Sequence, residues 1–148
     1  MPEQETIERA RKDAREGKSP STQAGEFVRQ EMHHIREGKH GARSTKQAIA
    51  IGLSEARRAG VKLPPPKTAD SATRRKASQD AAAGKTAAHH ASTRRSKATS
   101  KVLKREGHGA ASTNALSRQA KSTAARRGAA ARSASAKRAA KTRSRSGR

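Results

Sequence analysis

Large apolar side chains are scarce in this chain of 148 residues, and most of them precede a run of three prolines at 64–66. Beyond the first methionine, those before the prolines are Ile7, Phe27, Val28, Met32, Ile35, Ile49, Ile51, Leu53, Val61 and Leu63. Those after the prolines are Val102, Leu103 and Leu116. Because alanine buries little area, we expect the second half to gain too little from burial to offset the entropy of folding. The sequence predicts a small folded module at 3–63, a proline linker at 64–66 and a long, mostly disordered tail at 67–148.

Start and stop signals divide the module into helices. Residues 3–15 place acids before bases, which is the order that a helix dipole favours, and Gly17 ends this segment. Ser19 and Pro20 provide an N-cap and a proline at the first helical position. The second helix is therefore predicted to begin at Pro20 and to end just before Gly38.

The third helix has the clearest signals of all. Ser44 is a good N-cap, and Gln47 completes a capping box by reaching back to the backbone of the cap. Gly60 supplies a residue that can adopt a left-handed conformation after the last turn. We predict a helix from Thr45 to Ala59 that pairs with the second helix as a helical hairpin, because both helices have apolar faces to bury. The predicted fold class is all-α.

Charge separates the two halves of the chain. Residues 1–66 have 13 Lys and Arg against 9 Asp and Glu, whereas residues 67–148 have 22 against 3. Within this polycationic tail, alanine-rich stretches at 96–106 and 112–127 could form weak helices, although lone cationic helices are marginal in water. A field of this sign attracts polyanions, and nucleic acid is the partner that we favour.

The candidate nucleic-acid contacts are basic side chains that occur in clusters along the chain. They are Arg57, Arg58, Arg74, Arg75, Lys76, Arg94, Arg95, Lys104, Arg105, Arg126, Arg127, Lys137, Arg138, Arg143 and Arg145. The one aromatic residue other than histidine, Phe27, is expected in the core, so stacking on unpaired bases is not indicated. We therefore predict nonspecific binding to phosphates, with DNA favoured over RNA and a histone-like, nucleoid-associated role in the cytoplasm.

Two other functions remain open at this point. The helical module could be a protein-interaction adaptor, or form a homo-oligomer, through the apolar face of Ile49, Leu53 and Ala56. Association with RNA or the ribosome is equally compatible with the charge. A membrane partner is not expected, because the tail lacks the large apolar side chains of an interfacial helix and no long apolar run occurs.

Neither an enzyme nor a metal site is predicted. There is no cysteine, and the histidines do not show the i, i+4 spacing that places two zinc ligands on one helix face. The carboxylates of the predicted helices are expected to form ion pairs at the surface: Glu26, Glu31, Glu37 and Glu55. No catalytic residue, metal ligand or cofactor is assigned.

One short pattern occurs twice. Residues 36–45 read REGKHGARST and residues 105–113 read REGHGAAST, and each precedes an alanine-rich stretch with two arginines near its end. This pattern fits a helix, a turn and a second helix. It indicates either a duplicated helix pair or the common turn chemistry of a low-complexity chain, and both remain open.

The block KQAIAIGLSEARRAG, at residues 46–60, resembles the signature of a small bacterial family of unknown function. The resemblance extends over roughly residues 6–66 through the segments STQAGEFVRQE, REGKHGARS and VKLPPP. It implies no activity and no catalytic residue. The tail, which ends in AAKTRSRSGR, is similar in composition to the tails of linker histones.

Overall fold

The computed structural model describes residues 2–86 and 92–145, which are helical with no strand in these two ranges. The helices are α1 (Gln4–Arg15), α2 (Pro20–Arg36), α3 (Thr45–Arg58), α4 (Ser71–Ala83), α5 (Thr93–Leu103) and α6 (Thr113–Arg145). A short 3-10 turn at Gly109–Ala111 precedes α6. The helices predicted for the module are confirmed to within one residue at each end.

Local signals at the helix ends explain this agreement. The hydroxyl of Ser19 accepts a hydrogen bond from the Thr22 N–H, and Ser44 accepts one from the Gln47 N–H. The side chain of Gln47 accepts from the backbone N–H of Arg43, one residue before the cap, rather than from that of Ser44 itself. The stop glycines at 17, 38 and 60 all have positive φ, which side chains with a Cβ rarely adopt.

Helices α2 and α3 pack against each other as the predicted hairpin. Their backbones approach closely at Gly52, where an added Cβ would lie 2.7 Å from the Cα of Val28. Alanine side chains also bury completely at this contact, so the hairpin gains its packing from close backbone approach as well as from large side chains.

Within residues 2–86 and 92–145, buried apolar residues pack into two clusters. One cluster lies between α1, α2 and α3, with a fully buried phenylalanine at its centre: Ala10, Ala24, Phe27 and Ala56. The other cluster lies at the opposite end of the hairpin: Met32, Ile35, Ala42, Ala48 and Ala111. Ala111 comes from the predicted tail, so the second cluster is completed by a residue from beyond the prolines.

The prediction of a long disordered tail is wrong, because residues 71–83, 93–103 and 113–145 form helices. Helix α4 packs on α3, and a Cβ on Gly84 would lie 2.2 Å from the carbonyl oxygen of Arg57. The stretches expected to be only weakly helical correspond to α5 and α6. The prediction followed from the scarcity of large apolar side chains and the low complexity of the tail, whereas α4 and the segment before α6 dock through alanines, glycines and polar bonds to the backbone.

The two copies of the repeated pattern lie directly against each other. The backbone N–H of Gly41 donates to the Leu103 carbonyl at 2.9 Å, and that of Ala42 donates to the Gly107 carbonyl at 3.1 Å. Side chains add two more bonds, since Arg36 donates to the Ala111 carbonyl and Thr45 donates to the Ala110 carbonyl. The second copy therefore closes the end of the hairpin formed by α2 and α3.

Helix α6 is bent at Gly128, which has φ of 71° and ψ of 165°. This conformation is essentially restricted to glycine. Two bonds cross the bend: Arg127 donates to the Ser135 hydroxyl, and Arg132 donates to the Ala124 carbonyl. Residues 113–127 and 129–145 are consequently two helical segments joined by a glycine hinge.

Candidate nucleic-acid interface

The basic residues at the junction of α3 and α4 are partly committed to the fold. Arg57 is buried, and its guanidinium donates to the carbonyls of Leu63 and Pro64 at 3.3 and 3.4 Å. These bonds hold the chain that leaves α3, so this guanidinium faces inward rather than toward a ligand. Arg58 is exposed and lies 3.6 Å from the buried carboxylate of Asp80.

Helix α4 presents Arg74, Arg75 and Lys76 on its exposed surface. Lys76 is paired with Asp80, because its Nζ lies 2.9 Å from Oδ1 of that carboxylate. Asp80 also accepts a hydrogen bond from the Ser54 hydroxyl at 2.6 Å, which links α4 to α3. Part of the charge of this cluster is therefore neutralised within the protein.

Helix α5 exposes Arg94 and Arg95 in its first turn and Lys104 and Arg105 at its end. A shallow groove follows one side of this helix and is lined only by hydroxyl and cationic side chains: Ser96, Lys97, Ser100, Lys101, Lys104 and Arg105. Hydroxyls and ammonium groups are both donors to phosphate oxygens. The groove therefore has the chemistry of an anion-binding surface.

Helix α6 exposes the remaining candidate contacts on both sides of the hinge. They are Arg126, Arg127, Lys137, Arg138, Arg143 and Arg145. Arg127 and Arg138 both donate to the Ser135 hydroxyl, so these guanidinium groups lie close together beside the bend. The remaining cations extend along an exposed helix that carries no acidic residue.

Charge balance distinguishes α5 and α6 from the helical module at 3–63. Residues 92–145 contain 16 Lys and Arg, all exposed, and a single acid, Glu106. In the module, by contrast, many cations are paired with carboxylates, as between Arg9 and Glu26 at 2.8 Å and between Lys18 and Asp13 at 2.7 Å. Lys18 also lies 2.8 Å from Glu16, and its hydrogen bonds to Asp13 and then to Glu16 raise the pKa of its ammonium group. Net positive charge is thus concentrated on α5 and α6.

The apolar face of Ile49, Leu53 and Ala56, which was a candidate surface for a protein partner, packs against the core of the chain itself. Ala56 is fully buried beside Phe27, and Leu53 packs against the same cluster. Ile49 packs against the cluster at the other end of the hairpin. Phe27 itself is 1% exposed, which confirms its predicted place in the core.

Sequence reasoning missed one group of side chains in the module. Glu31, expected at the surface, is 2% exposed, and it lies close to His34 and His40. A glutamate followed three residues later by a histidine was the available signal, but His40 comes from the following turn and does not share the helical spacing. Two adjacent histidines, at positions 89 and 90, lie outside the described residues.

Comparison with known proteins adds a family match but no activity. Residues 15–67 match the model of a family of unknown function (DUF6496). The matched range contains α2, α3 and the turn between them, together with the prolines that follow. No curated protein and no solved structure gives a significant match to the chain. Within residues 2–86 and 92–145, every helix is too short or too polar to cross a bilayer.

Proposed function

We propose that this protein binds nucleic acid without sequence preference, through the exposed cations of α5 and α6. The observation that supports this proposal is the accumulation of 16 exposed Lys and Arg side chains against one carboxylate in residues 92–145. Each phosphate neutralised by such a side chain releases condensed counterions, so binding gains free energy without reading any base.

The helical form of this region bears on how it would bind. On α5, Lys97, Lys101 and Lys104 recur at helical spacing along one groove, with Ser96 and Ser100 beside them. Cations held at helical spacing meet successive phosphates with less loss of conformational entropy than cations on an unstructured chain. The hinge at Gly128 would allow the two segments of α6 to follow a curved polyanion.

We extend the proposal to duplex DNA and to a histone-like role on the nucleoid. The compositional likeness to linker-histone tails and the absence of aromatic stacking residues in α5 and α6 both favour a duplex over a single strand. Crosslinking in cells followed by sequencing of the bound nucleic acid tests this extension. Recovery of DNA from all parts of the genome supports it, whereas recovery of ribosomal RNA alone contradicts it.

The binding test is a salt titration of the full chain against a labelled DNA duplex, followed by fluorescence anisotropy. Two variants each replace four exposed cations by glutamine and so carry the same net charge. The first changes the groove at Lys97, Lys101, Lys104 and Arg105, and the second changes the module at Arg11, Arg15, Arg43 and Lys46. Since each phosphate contact contributes about 0.9 to the slope of log K against log salt, the groove variant should lose up to about 3.6 in slope.

The control variant should retain the slope and affinity of the wild type. Equal losses in both variants would mean that net charge alone governs binding and that α5 has no special part. A wild-type affinity that does not change between low and moderate salt would contradict the whole proposal.

A further inference from the structure

Three ligand-type side chains meet where α2 ends and the following turn begins. Glu31 and His34 are one turn apart on α2, and His40 is returned toward them by the turn that Gly38 makes with φ of 74°. One ligand atom from each residue lies within 4.8 Å of the others. A carboxylate and two imidazoles are the donor set that divalent transition metals accept in proteins.

The carboxylate of Glu31 is buried and incompletely satisfied. Its Oε1 has no hydrogen-bond partner among the described residues, although the residue is only 2% exposed. Its Oε2 lies 3.5 Å from Nε2 of His40. Burial raises the pKa of Glu31, although the His40 imidazole opposes this effect. A buried, ionised carboxylate without sufficient partners is costly unless it takes up a proton or a cation occupies the space beside it.

The geometry of His40 directs a ring nitrogen at this carboxylate. Its Nδ1 lies 3.2 Å from the carbonyl oxygen of Gly41, which can only accept, so Nδ1 carries the hydrogen in this bond. Nε2 of the neutral ring then has a lone pair that faces Glu31 Oε2. Two electron-rich atoms at this distance require a proton or a metal ion between them. The Gly41 carbonyl has the role that backbone carbonyls usually have behind metal-binding histidines.

His34 is oriented by a carboxylate from the start of the chain. Its Nε2 lies 3.0 Å from Oε1 of Glu3, which also contacts the ammonium group of Lys39 at 3.3 Å. Hydrogen bonds from His34 and then Lys39 lower the pKa of Glu3. The ring of His34 is therefore held at Nε2, which also lies 3.5 Å from Nε2 of Gln30, and one of its ring nitrogens lies within 4.8 Å of ligand atoms of Glu31 and His40.

We infer that Glu31, His34 and His40 form a binding site for one divalent transition-metal ion of the zinc type. Around a tetrahedral ion with bonds of about 2 Å, ligand atoms lie about 3.3 Å apart. The pair formed by Glu31 and His40 is close to this spacing at 3.5 Å, and the other separations, all within 4.8 Å, would shorten when the ion binds. Three protein ligands leave one position for water.

This ion would join α2 to the turn that receives the second copy of the repeated pattern. His40 immediately precedes Gly41 and Ala42, whose N–H groups bond to the segment before α6. Fixing His40 to α2 therefore fixes the surface on which that segment docks. The site lies apart from the cationic groove of α5, so Zn²⁺ binding can be measured without nucleic acid.

Isothermal titration of the metal-free full chain with Zn²⁺ tests the inference. We expect one equivalent to bind with submicromolar affinity, and we expect the thermal unfolding midpoint to rise with free Zn²⁺ because the ion binds the folded state. Co²⁺ should give the visible absorption bands of a tetrahedral complex. Absence of a stoichiometric site in the wild type would overturn the inference.

Substitutions separate this site from general binding to surface histidines. His40→Gln should weaken Zn²⁺ binding at least tenfold, whereas His33→Gln, at an exposed position beside the cluster, should leave affinity unchanged. Glu31→Gln keeps the shape of the side chain and should leave the metal-free fold intact while weakening Zn²⁺ binding and reducing the Co²⁺ bands. Equal losses in the His33 and His40 variants, or unchanged binding in the Glu31 variant, would contradict the site.

Discussion

Gly41 packs so closely against Glu106 that a Cβ on the glycine would lie 2.0 Å from the glutamate's carbonyl oxygen. The Gly41 N–H donates to Leu103 at the same contact. We predict that Gly41→Ala separates the segment before α6 from the hairpin, because the obstructing atom belongs to the backbone and cannot rotate away. The cost should be about 3 kcal/mol of unfolding free energy, measured by urea denaturation.

Gly107 provides the matched control for this substitution. It belongs to the same contact, but an added Cβ meets no atom within 4 Å and its φ is not positive. Gly107→Ala should therefore change stability by less than about 1 kcal/mol. Equal destabilisation by both substitutions would contradict the close packing of Gly41 against Glu106.

The extent to which the sequence predicts this fold differs along the chain. The ends of α1, α2 and α3 depend on local chemistry, such as the hydroxyl caps of Ser19 and Ser44 and the left-handed conformation of Gly60, so a single sequence is enough to place them. The docking of the second half depends on contacts between distant backbones, such as Gly41 against Glu106. A count of large apolar residues does not detect such contacts.

The candidate sites show the same division. Positive charge on α5 and α6 can be read directly from composition, but the inward orientation of Arg57 cannot, since it depends on where the chain turns after α3. The cluster around Glu31 was missed because His40 belongs to a turn whose path is set by Gly38. Two residues that a turn brings together, such as Glu31 and His40, have no characteristic sequence spacing that would predict their contact.

Asp80 is predicted to be the main polar link between α3 and α4. Its buried carboxylate accepts from the Ser54 hydroxyl and pairs with Lys76, and hydrogen bonds to charged groups contribute more than neutral ones. Asp80→Asn should lower the unfolding free energy by about 2 kcal/mol. Ser54→Ala and the double variant complete a thermodynamic cycle, in which a coupling energy of about 1 kcal/mol is expected. Additive effects would mean that the hydroxyl and the carboxylate contribute independently.

Asp70 should make the stability of α4 depend on pH. Its carboxylate caps the helix by accepting from the Thr73 N–H at 2.7 Å, and this backbone hydrogen bond lowers the pKa of Asp70. A group whose pKa is lower in the folded state stabilises the fold above its unfolded pKa, and this contribution is lost as the pH falls through the folded value. The cap therefore weakens in acid.

Asp70→Asn isolates this effect, because asparagine also caps helices but does not titrate in this range. The thermal midpoint of the wild type should exceed that of the variant by a constant amount near neutral pH. The difference should decrease as the pH falls below the ordinary aspartate value of 3.8. A difference that stays constant down to about pH 2 would show that the charge of Asp70 does not stabilise the cap.

Gly128 determines the bend of α6, and replacing it should straighten the helix. No neighbouring atom lies within 4 Å of an added Cβ, so only the positive φ of 71° opposes a side chain there. That conformation costs alanine about 1 to 3 kcal/mol, and alanine favours a continuous helix. Because the chain has no cysteine, spin labels can be attached specifically to cysteines introduced at Ser117 and Lys141. In Gly128→Ala the backbone separation of these two positions should increase to about 36 Å, the length of 24 helical residues.

The control variant is Ala136→Gly, which adds a glycine within the second segment and should retain the shorter wild-type distance. If Gly128→Ala also retains the shorter distance, the bonds from Arg127 and Arg132 hold the bend without help from the glycine.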